Sequence, residues 1–150
     1  MQSGPVAHPG VIFATGVRVG TDLVQVSQIA KSIAAFGEKF TRRLFTEREI
    51  AYSASSEPLQ AARFAKRFAA KEATIKVLDL TKVGFDWKQI EVVRAESGHC
   101  ALALSGVARE AAERASIREL SVSLSRDGDY ATAVVVGLTA GGKQNGIEWE

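Results

Sequence analysis

The pattern of hydrophobic and polar positions changes its period early in the chain. Val17, Val19 and the residues between them alternate as a β-strand, which is predicted to end at Asp22. From Leu23 the apolar positions recur at helical spacing, and this pattern predicts a helix that ends near Gly37. The sequence therefore places the carboxylate of Asp22 at the junction between a strand and a helix.

Two further helices are predicted downstream of this junction. Thr46 and Glu49 have the spacing of a capping box, so a short helix should begin at Glu47. Proline is tolerated only in the first turn of a helix, and Pro58 therefore predicts the start of a long helix that ends around Leu78.

The second half of the chain is dominated by strand patterns. Short strands are predicted at 90–93 and 101–104, followed by an alanine-rich helix at 107–115 and renewed alternation at 122–124. The stretch 130–138 is a nearly continuous apolar run, which predicts a strand buried on both faces. Together these elements predict the α+β class, with helices packed on an antiparallel sheet.

Composition and length indicate one ordinary globular domain. The chain has 150 residues, of which 46% are hydrophobic and 24% charged, and we predict a single domain at 16–139 with flexible ends at 1–15 and 140–150. The net charge of +2 is spread along the chain, so no nucleic-acid or membrane partner is predicted. Cys100 is the only cysteine, and no signal peptide or spanning segment is visible, which favours the cytoplasm.

Glu72 is an acidic residue where the long predicted helix should have an apolar one. Its neighbours on the helical stripe include Phe64, Phe68 and Ile75. A buried, unpaired carboxylate costs several kcal/mol, so one interpretation is that Glu72 meets a cation, a metal or strong donors. The other is a partly exposed ion pair with Lys76 at i+4, worth only about 0.3 to 0.5 kcal/mol. Residue spacing alone leaves both interpretations open.

Other candidate residues have simpler interpretations. His8 and His99 lack a second ligand at metal spacing and are predicted to be surface residues. Cys100 is predicted to be a small buried hydrophobe rather than a nucleophile. Ser123 and Ser125 lie on a strand without a nearby His-Asp arrangement, which argues against a serine hydrolase.

Four short motifs occur in a fixed order along the chain. They are Gly20-Thr21-Asp22-Leu23-Val24, Phe45-Thr46-Glu47-Arg48-Glu49, Arg67-Phe68-Ala69-Ala70-Lys71-Glu72-Ala73 with Lys76, and Ser123-Leu124-Ser125. In this order and at these distances they resemble the acyl carrier protein synthase family of phosphopantetheinyl transferases. The resemblance covers roughly 16–138, and it implies the 4'-phosphopantetheinyl transferase-like α+β fold.

The resemblance implies an enzyme that moves the phosphopantetheine arm of coenzyme A onto a serine of an apo acyl carrier protein, with release of 3',5'-ADP. It also implies a homotrimer whose active sites lie between subunits. Asp22 and Glu72 match the family's two Mg²⁺ ligands, and Lys71 and Lys76 match positions near the phosphates of coenzyme A. Glu72, or a water it holds, is expected to take the serine proton, with Lys76 also in a catalytic role.

The carrier protein is expected to be acidic, and five arginines are candidates for a basic surface that attracts it. On the long helix, Arg63, Arg67 and Lys71 would without the motif be interpreted as a solvated basic stripe, since many surface helices carry one. The five arginines are Arg42, Arg43, Arg48, Arg63 and Arg67.

Several positions depart from the family pattern. Gln28 stands where the first helix has an arginine, Asp79 follows the long helix where glycine is usual, and Gly98-His99-Cys100 replaces a Gly-basic-Pro turn. Arg126 replaces a histidine after Ser125. In one interpretation Ser125 and Arg126 bind coenzyme A, and transfer is retained. In the other, the protein no longer uses coenzyme A and is a carrier-binding module or another enzyme in a secondary, polyketide-type pathway.

Overall fold

A computed structural model describes residues 16–140, so the predicted flexible ends lie outside the described residues apart from position 140. Within this range no helix is long and apolar enough to cross a bilayer. The helices are α1 (Val26–Phe36), α2 (Glu38–Leu44), α3 (Glu47–Ala54), α4 (Gln60–Leu78) and α5 (Gly106–Arg114). The strands are β1 (Val17–Gln25), β2 (Ile90–Arg94), β3 (Cys100–Leu104), β4 (Ile117–Asp127) and β5 (Tyr130–Thr139).

The strands form an antiparallel three-stranded sheet and a separate hairpin. The sheet has the order β1-β5-β4, and β2 pairs with β3. The long helix α4 packs across one face of the larger sheet, and its alanines, among them Ala69 and Ala73, are buried against it. The predicted α+β class with helices on an antiparallel sheet is confirmed.

The predicted start of the first helix is wrong by three residues. β1 continues through Gln25 because its residues pair with β5, and α1 begins only at Val26. The strand alternation holds there, since Val24 is buried while Leu23 is 65% exposed. Pairing with a neighbouring strand has overridden the helical spacing of the apolar residues. Asp22 consequently lies inside a strand rather than at its end.

The predicted burial of β5 on both faces is also wrong for the single chain. Its inward residues, such as Ala133 and Val135, are completely buried beneath α4, but the opposite face is open. Val134 and Leu138 are 40% and 41% exposed there. We call the apolar residues of this face the outer sheet face; they are Val17, Val19 and Leu23 of β1 with Val134 and Leu138 of β5.

Local sequence signals set the ends of the other helices as predicted. The capping box of α3 is complete, because Thr46 and Glu49 exchange hydrogen bonds between side chain and backbone. Pro58 lies in a 3₁₀ turn, Glu57–Leu59, which leads directly into α4. The helix ends at Leu78, and Asp79 follows in the left-handed conformation with φ of 54°. The short helix α2 was not predicted from the sequence.

Candidate active site

A close approach between β1 and α4 determines the position of Asp22. A side chain at Gly20 would collide with the carbonyl oxygen of Ala73, so only glycine lets the strand lie this near the helix. Residues two apart on a strand share a face, and Asp22 therefore faces the same helix as Gly20. This arrangement explains physically why a glycine precedes the aspartate in the motif.

Asp22, Glu72 and Lys76 form one cluster between β1 and α4. The ammonium of Lys76 lies 3.4 Å from Oδ1 of Asp22 and donates a hydrogen bond of 2.7 Å to the carbonyl oxygen of Thr21. Glu72 is one turn before Lys76 and is partly buried. Burial raises the pKa of Glu72, the negative charge of Asp22 raises it further, and Lys76 opposes both.

The geometry of this cluster argues against one of the two interpretations of Glu72. Within residues 16–140 Glu72 forms no salt bridge, because the Lys76 ammonium is directed to Asp22 instead. The predicted i+4 ion pair is therefore not formed. Burial and the negative charge of Asp22 together raise the pKa of Glu72 more than the ammonium of Lys76 lowers it.

The oxygen ligands of the cluster suit a metal ion that takes only some of its ligands from the protein. No group of three or more His, Cys, Asp or Glu side chains with metal-binding geometry occurs in the described part of the chain. A pair of carboxylates is what Mg²⁺ commonly takes from a protein, since it completes its octahedron with water and substrate phosphate. Asp22 and Glu72 fit this requirement.

Lys71 does not belong to this cluster, although it precedes Glu72. Its ammonium is fully buried, 2.8 Å from Oε1 of Glu49, and it also donates to the carbonyl oxygens of Trp87 and Ile90. All three of its N–H groups are thereby used. The predicted contact between Lys71 and the phosphates of coenzyme A does not fit this burial, and neither does a solvated basic stripe.

A strongly basic cavity lies on the other side of α4. It has a volume of about 480 Å³ and is bordered by α3, α4, the β2–β3 hairpin and β4. We call it the basic cavity. Aspartate and glutamate are absent from its described lining, so its potential is positive and suits an anion. Its lysine and arginine residues are Arg63, Lys66, Arg67, Arg94 and Arg126.

Arg126 and Ser125, both predicted to contact coenzyme A, face different directions. Arg126 lines the basic cavity, and its Nε donates a 3.0 Å hydrogen bond to the carbonyl oxygen of Gly128. Leu124 also lines the cavity. Because side chains alternate along a strand, Ser125 points to the opposite face of the sheet. Ser125 is not among the described lining residues of the cavity, although Ser123, two residues earlier on the same strand face, is one, so the contact of Ser125 with coenzyme A stays a prediction.

The carboxylate cluster and the basic cavity are on opposite sides of the same helix. Arg63 and Glu72 are nine positions apart in α4, about two and a half turns, which directs their side chains in opposite directions. Asp22 lies on β1 and Arg126 on β4, the two edges of the sheet. A single chain thus does not bring the predicted metal ligands and Arg126 together.

A family model described as the 4'-phosphopantetheinyl transferase superfamily matches residues 18–135. The chain belongs to this family. The family consists of transferases, so the chain is an enzyme of that class.

Curated relatives and solved structures agree with the assignment to the transferase family. Holo-[acyl-carrier-protein] synthases from Thermoanaerobacter sp. (strain X514) and Gloeobacter violaceus are 39% and 41% identical, over 85% and 79% of this chain and 89% of each relative. The ACPS–CoA complex of Chronobacterium ammoniagenes matches with a TM-score of 0.71 at 30% identity, covering 84% of this chain and 99% of that one. The Helicobacter pylori synthase in complex with coenzyme A has a TM-score of 0.68 at 29% identity, with coverages of 80% and 99%.

One departure from the family pattern, Asp79, has a structural explanation in this transferase. Asp79 occupies the left-handed position that ends α4, where glycine is usual and aspartate is among the tolerated residues. Asp79 lines a different depression from the basic cavity, beside Arg18 and Arg114, so it does not repel an anion there. Gln28 is exposed on α1.

Sequence reasoning missed the role of Arg63 and Arg67 in forming a cavity. Both had been assigned to a surface that attracts a carrier protein, but Arg67 is only 3% exposed and both line the basic cavity. Arg94 carries no comparable signal in the sequence. Arg63 and Arg67 are four residues apart, but the same spacing occurs on solvated helices. Only the packing of Tyr52 and the hairpin distinguishes a cavity wall from a solvated helix face.

Proposed function

We propose that this protein transfers the 4'-phosphopantetheine arm of coenzyme A to a serine of an apo acyl carrier protein, in a Mg²⁺-dependent reaction. The observation that carries the proposal is the cluster of Asp22, Glu72 and Lys76 between β1 and α4. The names of the curated relatives and the coenzyme A complexes among the similar structures support the donor and the acceptor.

Asp22 and Glu72 are the proposed ligands of the Mg²⁺ ion. When bound, the ion offsets the charge of the pyrophosphate and of the two carboxylates. The raised pKa of Glu72 supports this assignment, because the negative charge of Asp22 contributes to it and a divalent cation would relieve that repulsion.

The chain's own residues orient the groups and move one proton. The serine oxygen attacks the phosphorus on the pantetheine side of the pyrophosphate, and the bond from that phosphorus to the bridging oxygen breaks. The bridging oxygen leaves with 3',5'-ADP, and the serine proton passes to Glu72 or to a water it holds. Lys76 neutralises charge on the transferred phosphoryl group from its position beside Asp22.

The basic cavity is the proposed site for phosphate groups of coenzyme A that the carboxylate cluster does not hold. Arg67 is buried on its wall, and its Nε has no hydrogen-bond partner in the described structure. A buried guanidinium without an anion is costly, so a phosphate oxygen is a suitable partner. Arg126 adds a second guanidinium and takes the position of the histidine usual in the family.

A homotrimer with active sites between subunits is the proposed assembly, and the placement of the two halves of the site supports active sites that are shared between subunits. The carboxylate cluster and the basic cavity lie on opposite sides of α4. One coenzyme A molecule would therefore contact the carboxylate cluster of one subunit and the basic cavity of its neighbour. The outer sheet face supports such an assembly, because Val19 and Leu23 are 64% and 65% exposed and association would bury them.

The acceptor is expected to be an acidic carrier protein. Arg42, Arg43 and Arg48 are exposed on α2 and α3 and are the remaining candidates for the basic surface that attracts it. Gln28 on α1 removes one positive charge relative to the family pattern. A secondary, polyketide-type pathway is one of the pathways that such a carrier serves.

Mass spectrometry of an apo acyl carrier protein tests the transfer directly. With coenzyme A and Mg²⁺, the carrier should gain the mass of one phosphopantetheine arm, and a chelator should prevent this gain. Asp22→Asn should abolish the gain, whereas Asp79→Asn, at an exposed position outside the cluster, should retain it. An unchanged rate in Asp22→Asn would contradict the assigned metal site.

Calorimetry separates the transferase from the alternative interpretation. Coenzyme A should bind with micromolar affinity in the presence of Mg²⁺. If it fails to bind at millimolar concentration while an acidic carrier still binds, the carrier-binding module is correct. Cys100 gives a second measurement, since it lines the basic cavity and is the only cysteine, so bound 3',5'-ADP, which has no thiol to consume the reagent, should slow its alkylation.

A further inference from the structure

One aromatic ring lies among three guanidinium groups at the wall of the basic cavity. The Cζ atoms of Arg67, Arg63 and Arg94 are 4.3, 4.4 and 5.1 Å from the ring centroid of Tyr52. All three distances are within the range of a cation–π contact. The ring belongs to α3, while the arginines come from α4 and the end of β2. Tyr52 is thus the common neighbour of charges from separate elements.

The three guanidinium groups repel one another, and acidic residues do not neutralise them. No salt bridge in the described part of the chain includes Arg63, Arg67 or Arg94. Arg67 is almost completely buried, and its Nε has no hydrogen-bond partner there. The ring compensates this charge only in part, because a cation–π contact is weak compared with an ion pair in a buried site. The remaining positive charge suits a dianion.

Hydrogen bonds fix two of these arginines relative to the ring. Arg63 Nη1 donates to the carbonyl oxygen of Tyr52 at 2.9 Å and to Oγ of Ser55 at 2.9 Å. Arg67 Nη1 donates to the carbonyl oxygen of Arg63 at 3.3 Å. The backbone of α3 thus holds the guanidinium group of Arg63, and the backbone of α4 holds that of Arg67, each beside the ring of Tyr52.

The ring also forms part of the wall between two cavities. Tyr52, Arg67 and Arg94 line the basic cavity of about 480 Å³, and the same three line a second cavity of about 210 Å³. Loss of the ring would open the wall that the two cavities share and remove the surface against which the guanidinium groups pack. The ring therefore limits how far the charges separate.

We propose that Tyr52 is a positioning residue that holds Arg63, Arg67 and Arg94 as a preformed site for a phosphate monoester dianion. This inference rests on the proposed function. Coenzyme A carries a pyrophosphate and one separate phosphate monoester, and the carboxylate cluster is assigned to the pyrophosphate. The monoester is then the group left for the arginines, with Tyr52 setting the distances between them.

Coenzyme A and dephospho-coenzyme A, which lacks the monoester, are the probes that test this role. Calorimetry on the wild-type protein should give tighter binding of coenzyme A. Tyr52→Phe keeps the ring and should keep this preference. Tyr52→Leu removes the ring and should weaken binding of coenzyme A about tenfold while leaving dephospho-coenzyme A nearly unchanged, because only the monoester contacts the arginines.

The possible results are distinguishable. If Tyr52→Leu keeps the wild-type preference, or loses affinity equally for both ligands, the positioning role is wrong while the proposed function stands. If the wild-type protein binds neither ligand, both proposals fail. Where Tyr52→Leu does not fold, Tyr52→Met fills a similar space without a π face and is compared with Tyr52→Phe in the same way.

Discussion

The ammonium of Lys71 lies 2.8 Å from Oε1 of Glu49, and neither side chain is accessible to solvent. Glu49 also accepts hydrogen bonds from the backbone N–H of Thr46 at 2.9 Å and of Val92 at 3.0 Å. The pair therefore connects α4 with the start of α3 and with β2. This role is structural, and it accounts for a lysine that the family resemblance alone would assign to the coenzyme.

Replacement of Lys71 should destabilise the protein rather than specifically weaken coenzyme binding. Lys71→Ala leaves the Glu49 carboxylate buried without its cation, and we expect the free energy of unfolding to fall by about 3 to 5 kcal/mol. Urea denaturation measures this change. Lys66→Ala, half-buried on the same helix, is the control and should cost far less. A Lys71→Ala variant of normal stability that no longer binds coenzyme A would contradict the structural role and support a contact between Lys71 and the phosphates of coenzyme A.

A methyl group at position 20 should separate the strand from the helix. In Gly20→Ala the new Cβ meets the carbonyl oxygen of Ala73, which neither side can relieve without backbone movement. We expect a loss of stability of about 1 to 3 kcal/mol and weaker Mg²⁺ binding, because Asp22 shifts away from Glu72. Thermal unfolding with and without Mg²⁺ measures both effects. Gly84→Ala, whose Cβ would meet open space, should change neither.

The two proposed metal ligands are indicated by the sequence in different ways. Glu72 interrupts an apolar stripe and is unusual in its own element, whereas Asp22 is indicated only by the resemblance to the family. The burial of Lys71 and Arg67 could not be predicted from the sequence. Their helical spacing is equally compatible with a solvated face, and their burial results from α3 and the β2–β3 hairpin packing against α4.

The same limit explains the errors in the strands. Pairing with β5 extends β1 through Leu23 to Gln25, although the apolar spacing there is helical. The apolar run of β5 predicted burial on both faces, but helices cover only one face in the single chain. A pattern of hydrophobic residues indicates that a sheet face is buried. It does not indicate whether the same chain or a second copy of the chain buries that face.

Glu72 should make the metal-free protein less stable as the pH rises. Burial and Asp22 raise its pKa above the usual value of 4.5, so the folded state holds the proton more tightly than the unfolded state. Stability therefore falls between the ordinary carboxyl pKa and the raised one, and the loss persists at higher pH. In Glu72→Gln this loss of stability should be absent, because the glutamine amide does not titrate.

Urea midpoints measured between pH 4 and 8 with a chelator present test this dependence. The downward step of the wild-type curve above pH 4.5 should be smaller in Glu72→Gln. Addition of Mg²⁺ should stabilise the wild-type protein at pH 7 but not the variant, which should lose at least about 10-fold in metal affinity. Equal Mg²⁺ stabilisation of both proteins would remove Glu72 from the metal site.

Mixing two inactive variants tests whether each active site is shared between subunits. Asp22→Asn lacks the carboxylate pair and Arg67→Met lacks a guanidinium of the basic cavity, and these groups face opposite sides of α4. Each variant alone should be inactive. In mixed oligomers, an intact cluster on one subunit can meet an intact cavity on the next, and random assembly from equal amounts should restore about a quarter of the wild-type activity.

The matched control uses two changes on the same side of the helix. Asp22→Asn mixed with Lys76→Met should stay inactive, because no pairing of these subunits provides a complete cluster. Leu23→Glu, which adds a charge to the outer sheet face, should abolish the recovery by preventing association. If the first mixture remains inactive while native mass spectrometry shows mixed oligomers, the two halves of the site act within one chain, and a rearrangement around α4 is required to join them.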